Sequence, residues 1–100
     1  MSGHRYLSAT IDALPGHEEA VCALLRDYAR AVRTEPGSLR FEVHTIEGRT
    51  GAFAVYEQYC SSEAFEAHMG TAHCAEFNRA LAPLVQGGAS MLTLLTAIDV

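Results

Sequence analysis

Between His17 and Ile46 the apolar residues change their spacing from three-and-four to two, and the change falls on Glu35-Pro36-Gly37. Before it, Val21, Leu24, Leu25, Tyr28 and Val32 recur on one face, with Glu18, Glu19, Arg26, Asp27 and Arg30 on the other. The stretch from His17 to Arg33 therefore reads as an amphipathic helix. Its acidic residues stand near the end where the helix dipole favours negative charge. Proline biases its predecessor away from helical geometry and glycine accepts a tight turn, so the helix stops there. From Leu39 to Ile46, alternation puts Leu39, Phe41 and Val43 on one face of a strand and Arg40, Glu42 and His44 on the other.

The same reading extends in both directions. Tyr6 to Ile11 alternates, with Leu7, Ala9 and Ile11 sharing a face, and Pro15-Gly16 ends that strand. Glu47-Gly48-Arg49-Thr50-Gly51 is a polar, glycine-containing connection of the hairpin kind. Beyond it, Ala52 to Cys60 is a strand with Phe53, Val55, Glu57 and Tyr59 on one face and Ala54, Tyr56 and Gln58 on the other. Ser61 or Ser62 caps the next helix, which runs to about Met69, is interrupted at Gly70 and resumes through Cys74, Phe77, Leu81 and Leu84. Pro83 and Gln86-Gly87-Gly88 end it. Ala89 to Ile98 is a last strand, apolar on both faces and so expected to be covered on both.

Strand, helix, strand, strand, broken helix, strand is the order of an α+β fold, a ferredoxin-like antiparallel sheet with helices on one face, formed as one domain over residues 1–100. Helices cover only one side of such a sheet. The open face would carry either Leu92, Leu94 and their neighbours or the opposite set with Met91 and Leu95, a patch too apolar for water, so a homodimer is expected.

Charge and composition exclude other classes. The chain has 100 residues, 49% of them apolar, a formal net charge of −5 and only 7 Lys and Arg with no run among them. Nucleic acid and anionic membrane surfaces require clustered positive charge, so neither is an expected partner. No apolar stretch approaches the ~20 residues that span a bilayer, and residues 1–15 hold His4, Arg5 and Asp12 rather than an apolar leader. Cys22, Cys60 and Cys74 are odd in number and form no CxxC pair, which fits reduced thiols in the cytoplasm.

The candidate site lies between the sheet and the broken helix, where His68, His73, Phe65, Met69 and Phe77 cluster in sequence. On an unbroken helix two residues five apart point about 140° away from each other; a break at Gly70 can bring them together. His68 or His73 is the candidate base, Tyr56 the candidate donor to an oxyanion, and Glu57, flanked by rings, either an acid–base group or a structural carboxylate. Ser8, Phe41, Phe65, Met69 and Phe77 are the candidate substrate-binding residues. His68, His73 and Glu57 would supply three metal ligands, yet the HxxxH or HxxE spacing that would sharpen that reading is absent; no metal is expected.

In Glu35-Pro36-Gly37, Tyr56-Glu57, and Ala64-Phe65 with His68 and His73, the chain resembles the antibiotic biosynthesis monooxygenase family over nearly its whole length. The resemblance implies two sheets packed face to face as a dimeric α+β barrel. It also implies oxidation of a small aromatic quinol or phenolic, polyketide-like substrate with O2 and without a cofactor. An isomerase or a ligand-binding member of the same fold, acting on a small metabolite without O2, is the alternative. Polyketide-oxidising relatives use an indole and an amide in the cavity; this chain has no tryptophan, and His68 stands about where that indole would be. Haem-degrading relatives use a histidine late in the second helix, an asparagine on the first strand and a tryptophan. Asn78, Ser8 and His68 stand at those places, so haem degradation is not expected.

Overall fold

The computed structural model describes residues 3–99. The elements are β1 (Arg5–Asp12), α1 (Glu18–Val32), β2 (Ser38–Thr45), β3 (Ala52–Tyr59), α2 (Ser62–Met69), α3 (Ala72–Leu81) and β4 (Met91–Leu95), with two short 3₁₀ turns between α3 and β4. The four strands form one antiparallel sheet in the order β2-β3-β1-β4. This is the ferredoxin-like arrangement, and every element anticipated from the sequence is present.

Strand alternation decides which residues face the helices. Leu7, Ala9 and Ile11 of β1 lie opposite Glu57, Val55 and Phe53 of β3, and all six are buried. Against this face α1 lays Val21, Leu25, Tyr28, Ala29 and Val32, and α3 adds Cys74, Phe77 and Leu81. Leu7, Tyr59 and Phe65 form a smaller cluster at the α2 end of the sheet. Phe41 joins the core but Leu39 does not, being 48% exposed. A bulge between Ser38 and Arg40 breaks the alternation there, so the sequence assignment of Leu39 to the core face is corrected.

Two local devices place α2 and α3. Ser61 caps α2, its Oγ accepting from the Ala64 N–H at 3.0 Å. Thr71 caps α3 by accepting from the Cys74 N–H at 3.2 Å, while its hydroxyl donates to the His68 carbonyl at 2.8 Å. One side chain thus ties the end of α2 to the start of α3 across the break at Gly70. The turn before β2 sits close against α2. A Cβ on Gly37 would collide with Ala64 Cβ, and the Gly37 carbonyl accepts from the Cys60 N–H at 2.9 Å.

The last strand departs from expectation. It spans Met91–Leu95, shorter than the run from 89 to 98, and all five residues are exposed. It pairs with β1 at the edge of the sheet, beyond the cover of α1 and α3, so the helices bury neither of its faces. No helix among the described residues is long and apolar enough to cross a membrane.

Candidate active site

Between the sheet and the helices lies a cavity of about 300 Å³, at the small end of ligand pockets. Phe41, Glu57, Phe65, His68, Met69 and Phe77, all singled out in the sequence, line it. Met69, 48% exposed, stands at its mouth. Tyr56 and Ser8 do not line it. They face each other across β3 and β1 on the opposite side of the sheet, because alternation that turns Glu57 and Leu7 inward turns their neighbours outward. The expectation that both reach the cavity is corrected. His73 also lies outside the cavity wall; the break at Gly70 brings it to His68 through a third residue, not through a shared pocket.

That third residue is Glu35. His68 Nδ1 lies 3.0 Å from both carboxylate oxygens, and His73 Nε2 lies 2.5 Å from Oε2. A carboxylate accepts only, so each imidazole turns an N–H toward it. With Nδ1 protonated, His68 carries its lone pair on Nε2, which accepts from the Tyr28 hydroxyl at 3.2 Å. The side chains of His68 and Glu35 are only 6% and 11% exposed, and that of His73 is 30% exposed. A part-buried carboxylate therefore fixes the tautomer and direction of a buried imidazole whose free nitrogen faces a phenol on the cavity wall.

Aromatic rings set the rest of the wall. Tyr28 stacks on Phe77 with centroids 4.0 Å apart and meets Phe41 edge-on at 5.5 Å. The His68 ring lies 4.9 Å from that of Tyr59. Burial, then the neighbouring Cys74, pushes the Tyr28 hydroxyl well above its ordinary value. The hydroxyl therefore stays protonated and acts as a donor. Glu57 is 5% exposed, and its Oε1 accepts from the Tyr59 hydroxyl at 2.7 Å. Burial raises the Glu57 carboxyl above the ordinary 4.5, against the opposing pull of the Tyr59 hydrogen bond and of the nearby His68 ring. Tyr59 is itself raised by burial and by Glu57. The cavity thus offers one lone-pair nitrogen, one phenol donor and one buried carboxyl whose pKa burial raises.

Sequence reasoning missed Glu35 and Tyr28. A helix stop accounts for Glu35, and one more apolar position of α1 accounts for Tyr28; each has that role and a second one. A signal was present in Tyr28, since a phenol on a buried helix face requires a hydrogen-bond partner.

Fold and cavity together define a class: small ferredoxin-like α+β proteins that hold a small molecule between sheet and helices. The family model for antibiotic biosynthesis monooxygenases matches residues 5–80, and the chain belongs to that family. Among solved structures it is similar to a Pseudomonas aeruginosa protein at 32% identity, covering 99% of this chain and 98% of that one with a TM-score of 0.90. A Caulobacter crescentus protein at 26% identity, with coverage of 98% and 92% and a TM-score of 0.88, is described as a candidate antibiotic biosynthesis monooxygenase. A Nitrosomonas europaea protein of like description shares the fold at 18% identity, with coverage of 98% and 93% and a TM-score of 0.89. No curated protein matches the chain.

Proposed function

We propose that the protein is a monooxygenase that oxidises a small quinol or phenolic substrate with O2, the substrate itself serving as reductant. The observation that carries this reading is His68, held on Nδ1 by Glu35 and presenting Nε2 to Tyr28 at the wall of an apolar cavity. In the reaction, a substrate hydroxyl displaces the Tyr28 hydroxyl from Nε2, and His68 takes its proton as general base. Glu35 stabilises the resulting imidazolium, and Tyr28 donates to the phenolate oxygen.

The electron-rich anion passes one electron to O2, the radical pair recombines into a carbon-bound peroxide anion, and the His68 imidazolium returns its proton to give the hydroperoxide. His68 then takes the proton from that carbon as the O–O bond cleaves, which leaves one oxygen as a carbonyl and expels the other as hydroxide. The proton now held on His68 makes it water, and the imidazole is left neutral for the next turnover. The four electrons that reduce O2 all come from the substrate. Phe41, Phe65 and Phe77 keep water from the radical pair.

A second copy completes the molecule in this reading, covering the exposed β4 residues Met91 and Leu95 on the face turned away from the helices. Three free cysteines fit a reducing cytoplasm.

O2 uptake by the metal-stripped protein with a panel of hydroquinones and anthrone-like phenols tests the reading. Uptake by the wild type, with kcat/KM reduced about 10²- to 10⁴-fold in His68→Gln and no greater loss in the His68/His73 double glutamine variant, is the expected result. No uptake by the wild type on any substrate would overturn the oxygenase reading in favour of an isomerase or ligand-binding member.

A further inference from the structure

We propose that Glu35, His68 and His73 form a binding site for one divalent late first-row metal ion of the zinc class. Two imidazole nitrogens and a carboxylate oxygen converge from three separate places in the chain, all within 4.8 Å of one another. Glu35 comes from the turn before β2, His68 from the last turn of α2 and His73 from the first turn of α3. Two imidazoles and one carboxylate are the donor set that holds zinc with one position left open. The site differs from the one the sequence suggested, because Glu57 points into the cavity beside Tyr59 and leaves Glu35 as the third donor.

The geometry is close to what an ion needs. Donors at zinc distances and tetrahedral angles stand about 3.3 Å apart. Glu35 Oε2 is 3.0 Å from His68 Nδ1 and 2.5 Å from His73 Nε2. Ligation asks for the second gap to widen by less than about 1 Å and for the two imidazole nitrogens, within 4.8 Å of each other, to close on the ion; His73, the most exposed of the three side chains, has the most room to move. His68 is already oriented for the task, since Tyr28 Oη lies 3.2 Å from Nε2, the nitrogen that carries the proton once Nδ1 binds a metal. A ligating histidine has its other ring nitrogen fixed in this way by an outer partner. Thr71, bonded to the His68 carbonyl, fixes the joint between the two histidine-bearing helices.

One consequence rests on the proposed function. An ion on Nδ1 leaves Nε2 protonated, so metal binding and the base role of His68 exclude each other, and zinc would inhibit O2 uptake.

The test is direct binding to the untagged, chelator-stripped chain, with Zn²⁺ by calorimetry and Co²⁺ by visible absorption. One ion per chain is expected, with affinity at least tenfold weaker in His73→Gln and in Glu35→Gln, and unchanged in His17→Gln. Circular dichroism establishes that each variant is folded; His73→Gln, at the most exposed ligand, decides should Glu35→Gln not fold. Equal affinity in His73→Gln and wild type, absence of binding at millimolar ion, or a thiolate charge-transfer band placing Co²⁺ on a cysteine would overturn the site. Binding is read without substrate, so failure of O2 uptake would sink the oxygenase reading and leave the metal result standing.

Discussion

Glu35, part-buried, and Glu57, buried, are two carboxyl groups with opposite employment. Glu35 accepts from two imidazoles, and Glu57 accepts from one phenol among apolar neighbours. Replacing Glu35 by alanine frees the His68 ring to rotate. We expect kcat to fall by about 10²-fold or more with KM little changed, since the loss is of base orientation rather than of cavity wall. A rise in KM alone would contradict the positioning role. Glu57 makes a prediction about pH. Its folded pKa lies above the ordinary 4.5 through burial, so the folded state holds its proton while the unfolded state releases it. Stability from this group is therefore full below about 4.5 and falls as pH rises toward the folded value. Urea unfolding of wild type and Glu57→Gln at pH 4 to 7 should show the wild type losing ground with rising pH, at no more than about 1.4 kcal/mol per pH unit. Parallel curves would remove Glu57 from the list of raised groups. At this scale the sequence was half legible. Alternation on β3 placed Glu57 correctly and also ruled Tyr56 out of the same face, a conflict contained in the residue order itself. Glu35 was hidden because its partners lie 33 and 38 residues away, and no periodicity reports such a contact.

Among the elements, the turn at Pro36-Gly37 and the joint at Gly70-Thr71 place the imidazoles. Gly37→Ala puts a methyl against Ala64 Cβ, a rigid neighbour that yields only by moving α2. We expect a loss of about 1–3 kcal/mol, read by chemical denaturation, together with reduced activity because Glu35 and His68 move apart. Retained stability would mean that the turn has slack. Thr71→Ala removes both the α3 cap and the tie to His68 at a cost of about 1 kcal/mol. Strand and helix boundaries were legible because apolar spacing reports secondary structure directly. The bulge at Leu39 was not, since a bulge adds a residue without altering composition, and the exposure of β4 was not, since sequence does not show how far the helices reach.

For the whole molecule, the governing feature is a sheet with an uncovered apolar edge strand. Met91 is 71% exposed and Leu95 38%, and both belong to the face turned away from the helices. Light scattering should give twice the mass of one chain for the wild type and a single chain for the Met91→Asp/Leu95→Asp variant, and the wild-type melting temperature should rise with protein concentration. A wild-type monomer at micromolar concentration would overturn the dimer. The strand order also has a bearing on synthesis. β1 pairs on one side with β3, complete at Tyr59, and on the other with β4, complete only at Leu95. A ribosome adding about 5–20 residues per second leaves one edge of β1 unpaired for about two to seven seconds after the first ladder can close. That open edge, bearing Leu7, Ala9 and Ile11, is a template for strands of other nascent chains. Yield in the cell should thus respond more to translation speed across α2 and α3 than to the stability of the finished fold.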